Sequence, residues 1–186
     1  MNRFFVYFLI ICYHQLSHSA IIINEIHHDP DVKTELTEFI ELHNTGNQTV
    51  DLSGWTLENA IQFTFPQGSF LTGGGYIVIS HNPNQFKVKF GVEALGPWLG
   101  KLDNDGERIE LRSIGGKLVD RVRYRLGFPW PIVGDSPGYS IELINPDLDN
   151  NDGHNWKPSV LGDLSNKANR IIKKGSKWKY LKGKKE

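Results

Sequence analysis

Cysteine is almost missing from this chain. Cys12 is the single one among 186 residues, and it falls in a short apolar stretch at the start. The remainder is therefore without disulfides, thiol catalysis or thiolate metal sites. Past the N-terminus there is no apolar run of about 18 residues, so the sequence offers no internal membrane span. No G-x-S-x-G elbow is present, which removes the usual serine-hydrolase signature. Gly73-Gly74-Gly75 is not followed by Gly-Lys-Ser/Thr, so it is not a phosphate loop. No segment carries a firm helical pattern. Net charge is also lacking, at zero overall, but that balance hides two unequal parts. Residues 167–186 hold nine Lys/Arg and one Glu, whereas residues 20–166 hold eleven Lys/Arg and twenty Asp/Glu. Such a division marks a boundary or a tail with its own role.

The chain does have many glycines (19), prolines (9) and aromatics (11%), a composition that fits short strands joined by turns. Residues 1–19 read as a signal peptide. Arg3 supplies a positive start, Phe4–Cys12 an apolar core, and Ser17-His18-Ser19 small residues for cleavage. That leader predicts a secreted or cell-surface protein.

The central stretch is Glu38–Leu57. Phe39, Ile40 and Leu42 lie among Glu38, Glu41 and His43, then Asn44-Thr45-Gly46-Asn47 supplies turn chemistry. Val50, Leu52, Trp55 and Leu57 follow as a second strand pattern, with Gly54 predicting a bend before Trp55. Around this pair the alternation predicts further strands. They are Ile21–Ile26, Ile61–Phe65, Tyr76–Ser80, a hairpin over Gly106–Tyr124 turning at Gly115-Gly116, and Gly138–Pro146. Asn84–Gly91 fits either a helical turn or an edge segment. The count is about eight strands, the pattern of a Greek-key sandwich. The predicted core is Ile22, Ile26, Phe39, Leu42, Leu52, Trp55, Leu57, Phe63, Phe65, Ile77, Ile79, Ile109, Leu111, Val122, Tyr139, Ile141 and Leu143.

Three motifs in order resemble the lamin-tail domain, an immunoglobulin-like β-sandwich first known from nuclear lamins and also found in bacterial secreted proteins. They are Ile23-Asn24-Glu25-Ile26, Glu38-Phe39-Ile40-Glu41-Leu42 and Leu52-Ser53-Gly54-Trp55-Thr56-Leu57. Gly138-Tyr139-Ser140-Ile141-Glu142-Leu143 and Asn155-Trp156-x-x-Ser159 resemble the closing segments of bacterial members. The resemblance implies an all-β, immunoglobulin-like Greek-key β-sandwich over residues 20–160. Residues 161–186 are a linker and a basic segment. The Ile171–Leu181 part of it is similar to the opening of a jelly-roll module, with a basic tail as the alternative.

Chemistry is sparse. Glu38 and Glu41, three apart on a strand, point to opposite faces and form no catalytic pair there; solvent exposure, or a bond to a loop backbone, is the expected role. Asp147, Asp149 and Asp152 form the best calcium candidate, because they are hard oxygen ligands in one loop. The loop departs from the EF-hand pattern. Its Gly153 is one place late, and Pro158 stands where the twelfth-position Glu belongs. The alternative is an Asx-rich turn. Asp29, Asp31 and Glu35 are a weaker second set. His27, His28, His43, His81 and His154 are scattered, so zinc carries little weight. Asn47-Gln48-Thr49 is a glycosylation sequon.

Arg112, Arg121, Arg123 and Arg125, with the Lys-rich tail and its Trp178 and Tyr180, invite a nucleic-acid reading. The acidic body and the leader argue against it. An anionic glycan or surface polymer, or a protein, suits the location better. No catalytic constellation and no cofactor other than calcium emerges. The resemblance thus implies a non-catalytic exported module for adhesion, tethering or scaffolding. The alternative is an accessory front portion of a larger exported enzyme, hydrolase or spore-coat-kinase-like, whose catalytic domain is missing from this chain.

Overall fold

Strand alternation sorts the apolar residues into the space between two sheets. The computed structural model describes residues 21–131 and 139–159. The leader, residues 132–138 and the segment after Ser159 lie outside the described residues. The elements run β1 (Ile21–His27), β2 (Phe39–Asn44), β3 (Val50–Asp51), β4 (Thr56–Asn59), β5 (Ile61–Thr64), β6 (Phe70–Leu71), β7 (Tyr76–Ser80), helix α1 (Pro83–Phe90), β8 (Leu99–Gly100), β9 (Arg108–Arg112), β10 (Leu118–Arg123), β11 (Ile141–Leu143) and β12 (Trp156–Pro158).

One sheet has the order β12-β11-β1-β2-β7, and the second β10-β9-β4-β5-β8, with β3 and β6 as a small separate pair. Every pairing within them is antiparallel. This is the all-β, immunoglobulin-like sandwich. The core between the sheets takes Ile23, Ile26, Ile40, Leu42 and Ile79 from the first and Leu57, Ile61, Phe63, Ile109, Leu111 and Val122 from the second. Each such side chain contributes about 1.5–3 kcal/mol through burial.

Two details differ from the sequence-based expectation. In β1, Ile21 and Ile23 are buried and Ile22 is only half-buried. The register against β2 shifts between Ile23 and Glu25, and this bulge returns Ile26 to the core side. Trp55, Ile77 and Tyr139 pack against the core from half-buried positions, while Trp98, Trp130 and Trp156 are the buried tryptophans among the described residues. Gly54 does form the predicted bend, with φ +73°.

The Asn84–Gly91 segment takes the helical of its two expected forms, as α1 (Pro83–Phe90). Asn82 caps α1 by accepting from the Gln85 N–H at 3.2 Å, and Pro83 occupies the first turn, where its missing N–H costs nothing. Gly91 ends it in the left-handed region, φ +72°, its N–H donating to the Lys87 carbonyl. Phe86 and Phe90 then cover Phe39 and Val78 on the outer side of the first sheet. No helix among the described residues is long and apolar enough to cross a membrane.

Candidate functional site

The polar residues of the first two motifs, Asn24, Glu25, Glu38 and Glu41, are buried, and each is spent on a tie within the fold. Asn24 donates from Nδ2 to Glu41 Oε1 at 2.9 Å. Ser140 Oγ donates to Glu25 Oε1 at 2.5 Å. The Leu102 N–H donates to Glu38 Oε2 at 2.9 Å, holding the loop after β8. Glu38 and Glu41 are thus not surface charges, being 2% and 3% exposed, and the loop-backbone role applies to Glu38. The register also sets Glu25 directly opposite both Glu41 and Glu142, so the outer side of the first sheet carries a row of carboxylates. Lys157 closes that row on Glu142 at 2.6 Å. Spacing along one strand could not reveal it, because the three come from three strands.

Glu38 sits at the pole where β1 and β7 end and β2 begins. Burial pushes its pKa up to about 7, against the Leu102 hydrogen bond and the Lys101 charge. His81 Nδ1 lies 3.8 Å from Glu38 Oε2, and its ring stacks on Trp98 at 5.9 Å. Tyr124 donates its hydroxyl to the Asp103 carbonyl at 2.7 Å and stacks on His28 at 5.1 Å. Burial, then the neighbouring Glu107, raises the Tyr124 pKa. Burial lowers that of His28 and takes His27 down to about 4. His28 Nδ1, His81 Nδ1 and Trp98 Nε1 are buried with no hydrogen-bond partner among the described residues.

The aspartate loop after β11 has a local job. Asp149 Oδ1 accepts the Asn151 N–H at 2.9 Å, and Asp152 Oδ1 accepts the His154 N–H at 3.0 Å, capping a short 3₁₀ turn over Gly153–Asn155. Asp147 donates its own N–H to Asn145 Oδ1. Its neighbour Asn150 does the long-range work, donating to the Ile23 carbonyl at 3.1 Å and to Asp120 Oδ2 at 2.8 Å. Asp31 and Glu35 are both bridged by Lys89, and Asp29 pairs with Lys33. His43 stacks on Tyr76, and His154 stands edge-on to Phe128. Among the described residues there is no group of three or more His, Cys, Asp or Glu that could hold a metal ion.

The outer side of the second sheet is different in sign. Ile109, Leu111, Val122 and Leu57 point inward, so Arg108, Glu110, Arg112, Arg121, Arg123 and Glu58 point outward. Glu110 is almost fully buried beneath Arg108 (3.3 Å) and Arg112 (2.5 Å). Burial acts to raise the Glu110 pKa, but the Arg112 hydrogen bond and the two guanidinium charges outweigh it and hold the pKa below the usual range. Arg112 also reaches Glu58 at 3.2 Å. Arg121, Arg123 and Arg125 are exposed and make no ion pair among the described residues. A basic face therefore sits on an acidic body. Arg108, which faces Arg123 across the strands, was not singled out from the sequence; its place opposite β10 was the missing information.

The family model described as Lamin Tail Domain matches residues 14–125. The chain belongs to the lamin tail domain family. No curated protein matches it. In this lamin tail domain the fold runs past the matched stretch, because β11 pairs with β1 at Glu142–Glu25 and Ile141–Ile26, and β12 pairs with β11.

Proposed function

We propose that this lamin tail domain is a non-catalytic binding module, exported to the cell surface or beyond, that tethers or scaffolds by holding an anionic surface polymer. The observation that carries the reading is the arginine-rich outer side of the second sheet, where Arg121, Arg123 and Arg125 stand exposed and unpaired among the described residues. Basic groups on a body that is otherwise acidic give a directional, salt-dependent attraction to a polyanion. A non-catalytic role is supported by the carboxylates of the motifs. Glu25, Glu38 and Glu41 are buried and hydrogen-bonded to Ser140, Leu102 and Asn24, so they serve as ties within the sandwich. The leader-like residues 1–19 support export.

Two measurements test this. Cell fractionation of the tagged full chain is expected to place it in the medium or on the surface; retention in the cytoplasm overturns export. Co-sedimentation with isolated cell-surface polymer is expected to be strong at low ionic strength and to fade as salt rises. Binding that ignores salt overturns the electrostatic reading, and a protein partner becomes the next test.

A further inference from the structure

Arg108 and Arg123 are direct partners across the β9–β10 ladder. Like charges placed opposite one another in a sheet repel. A sheet that keeps such a pair breaks a local rule, and places that break local rules without local gain are where function is sought. The repulsion is relieved on one side only. Arg108 is fixed by Asn59 Oδ1 at 3.0 Å and by Glu110 at 3.3 Å. Asn59 does this from the left-handed region, φ +74°, which asparagine tolerates better than most residues. Arg123 has no ion pair among the described residues.

The two arginines border a groove of about 500 Å³, lined also by Asn59, Gly106 and Glu107. Glu107, the acid on the lining, is turned aside: its Oε1 accepts the Asp103 N–H at 2.6 Å and lies 3.2 Å from the Tyr124 hydroxyl. Gly106 has φ +102°, and a Cβ there would meet the Tyr124 carbonyl oxygen and Arg125 Cα at 2.5 Å. The groove wall is thus closed to a side chain at that point.

We propose that Arg108 and Arg123 together bind one oxyanion group, a carboxylate or a sulfate, of a linear anionic polysaccharide. Two guanidinium groups lining one groove suit planar or tetrahedral oxyanions. Arg121 and Arg125, exposed along the same edge strand and just after it, extend the contact to neighbouring charges of the polymer. A glycan fits better than a single-stranded nucleic acid because the groove lining, Asn59, Gly106, Glu107, Arg108 and Arg123, offers amide, carboxylate and guanidinium partners for sugar hydroxyls and no aromatic ring for a base to stack on. The inference rests on the polymer-binding reading above and adds the site and the chemical class.

The test is calorimetric titration of the full chain with three probes: a heparin hexasaccharide, a galacturonate hexamer, and a single-stranded oligonucleotide of matched charge. The variants are Arg108→Gln, Arg123→Gln, and a tail variant with Lys173, Lys174, Lys177 and Lys179 changed to Gln. Each arginine variant is expected to weaken glycan binding about tenfold, the loss of one charge-assisted contact, and to lower the slope of log affinity against log salt by about one. Arg123→Gln is expected to melt no lower than the parent, because it relieves a repulsion; a lost contact in a folded variant separates binding from folding. Retention of the galacturonate response assigns carboxylate; response to heparin alone assigns sulfate. If the tail variant loses binding and the arginine variants do not, the site is overturned and polymer binding stands. If no probe binds, both fall. If the oligonucleotide binds tighter and Arg123→Gln abolishes it, the glycan class is overturned.

Discussion

Asp120 Oδ2 accepts the backbone N–H of Ile23 at 2.6 Å, across 97 residues of chain. The same oxygen takes the Asn150 amide at 2.8 Å, and that amide also reaches the Ile23 carbonyl. The bulge in β1 falls between Ile23 and Glu25. Two side chains, one from β10 and one from the loop after β11, supply hydrogen bonds to the Ile23 backbone beside it and join the two sheets along one side. Asp120→Ala leaves a backbone donor and a side-chain amide without this partner. The expected loss is about 3 kcal/mol of stability, read as a lower urea midpoint with an unchanged slope. Asn150→Ala in the same background should add much less than it costs alone, because the two share one network. A loss under about 0.5 kcal/mol, the range of ordinary surface changes, would remove the clasp from the account.

Glu38 and His27 predict opposite pH effects over neighbouring windows. Burial raises the Glu38 pKa to about 7 in the fold. Its contribution is therefore full below the unfolded value near 4.5 and is lost as pH rises toward 7, by about 3 kcal/mol. Burial lowers the His27 pKa to about 4. Its contribution is full above 6.5 and is lost as pH falls toward 4. Glu38→Gln keeps an acceptor for Leu102 and cannot ionise. Its stability relative to the parent should climb steadily from pH 4.5 to 7, measured by denaturant unfolding at each pH. A flat difference would mean that Glu38 ionises as easily folded as unfolded.

Phe86 anchors α1 on the first sheet, 5.3 Å from Phe39 and 4.8 Å from Phe90 between ring centroids. Phe86→Ala should cost about 3–5 kcal/mol. Proteolysis under native conditions should then cut first within residues 83–90, since the helix depends on this contact rather than on its length. Unchanged cutting would place the anchor elsewhere.

Calcium is a direct test of the aspartate loop. Asp149 and Asp152 already serve backbone N–H groups through their carboxylates. Millimolar calcium is expected to leave the melting temperature where it is. A rise that grows with calcium concentration would establish a site there, because a ligand that binds only the folded state stabilises it by mass action.

By itself the sequence determined most of the longer strands, the turns at Gly54 and Gly115-Gly116, and the family, while β6, β8 and β12 and the split of Val50–Leu57 into β3 and β4 went unmarked. The two-residue alternation and positive-φ glycines are local signals, and they survive in any context that buries one face. It also determined that Arg121 and Arg123 would share an outward face while Val122 turns in. Tertiary structure alone decided the rest. Ile21 and Ile23, rather than Ile22, face the core because a bulge shifts the register, and the bulge is held by Asp120 and Asn150 from far along the chain. In sequence Glu38 and Glu41 fit either a solvent-facing charge or a bond to loop backbone, and only the fold shows both buried, Glu38 on the Leu102 N–H and Glu41 on Asn24. The Arg108–Arg123 pair and the Glu41–Glu25–Glu142 row exist only across strands. Periodicity records which face a side chain takes; it holds no record of which strand lies alongside.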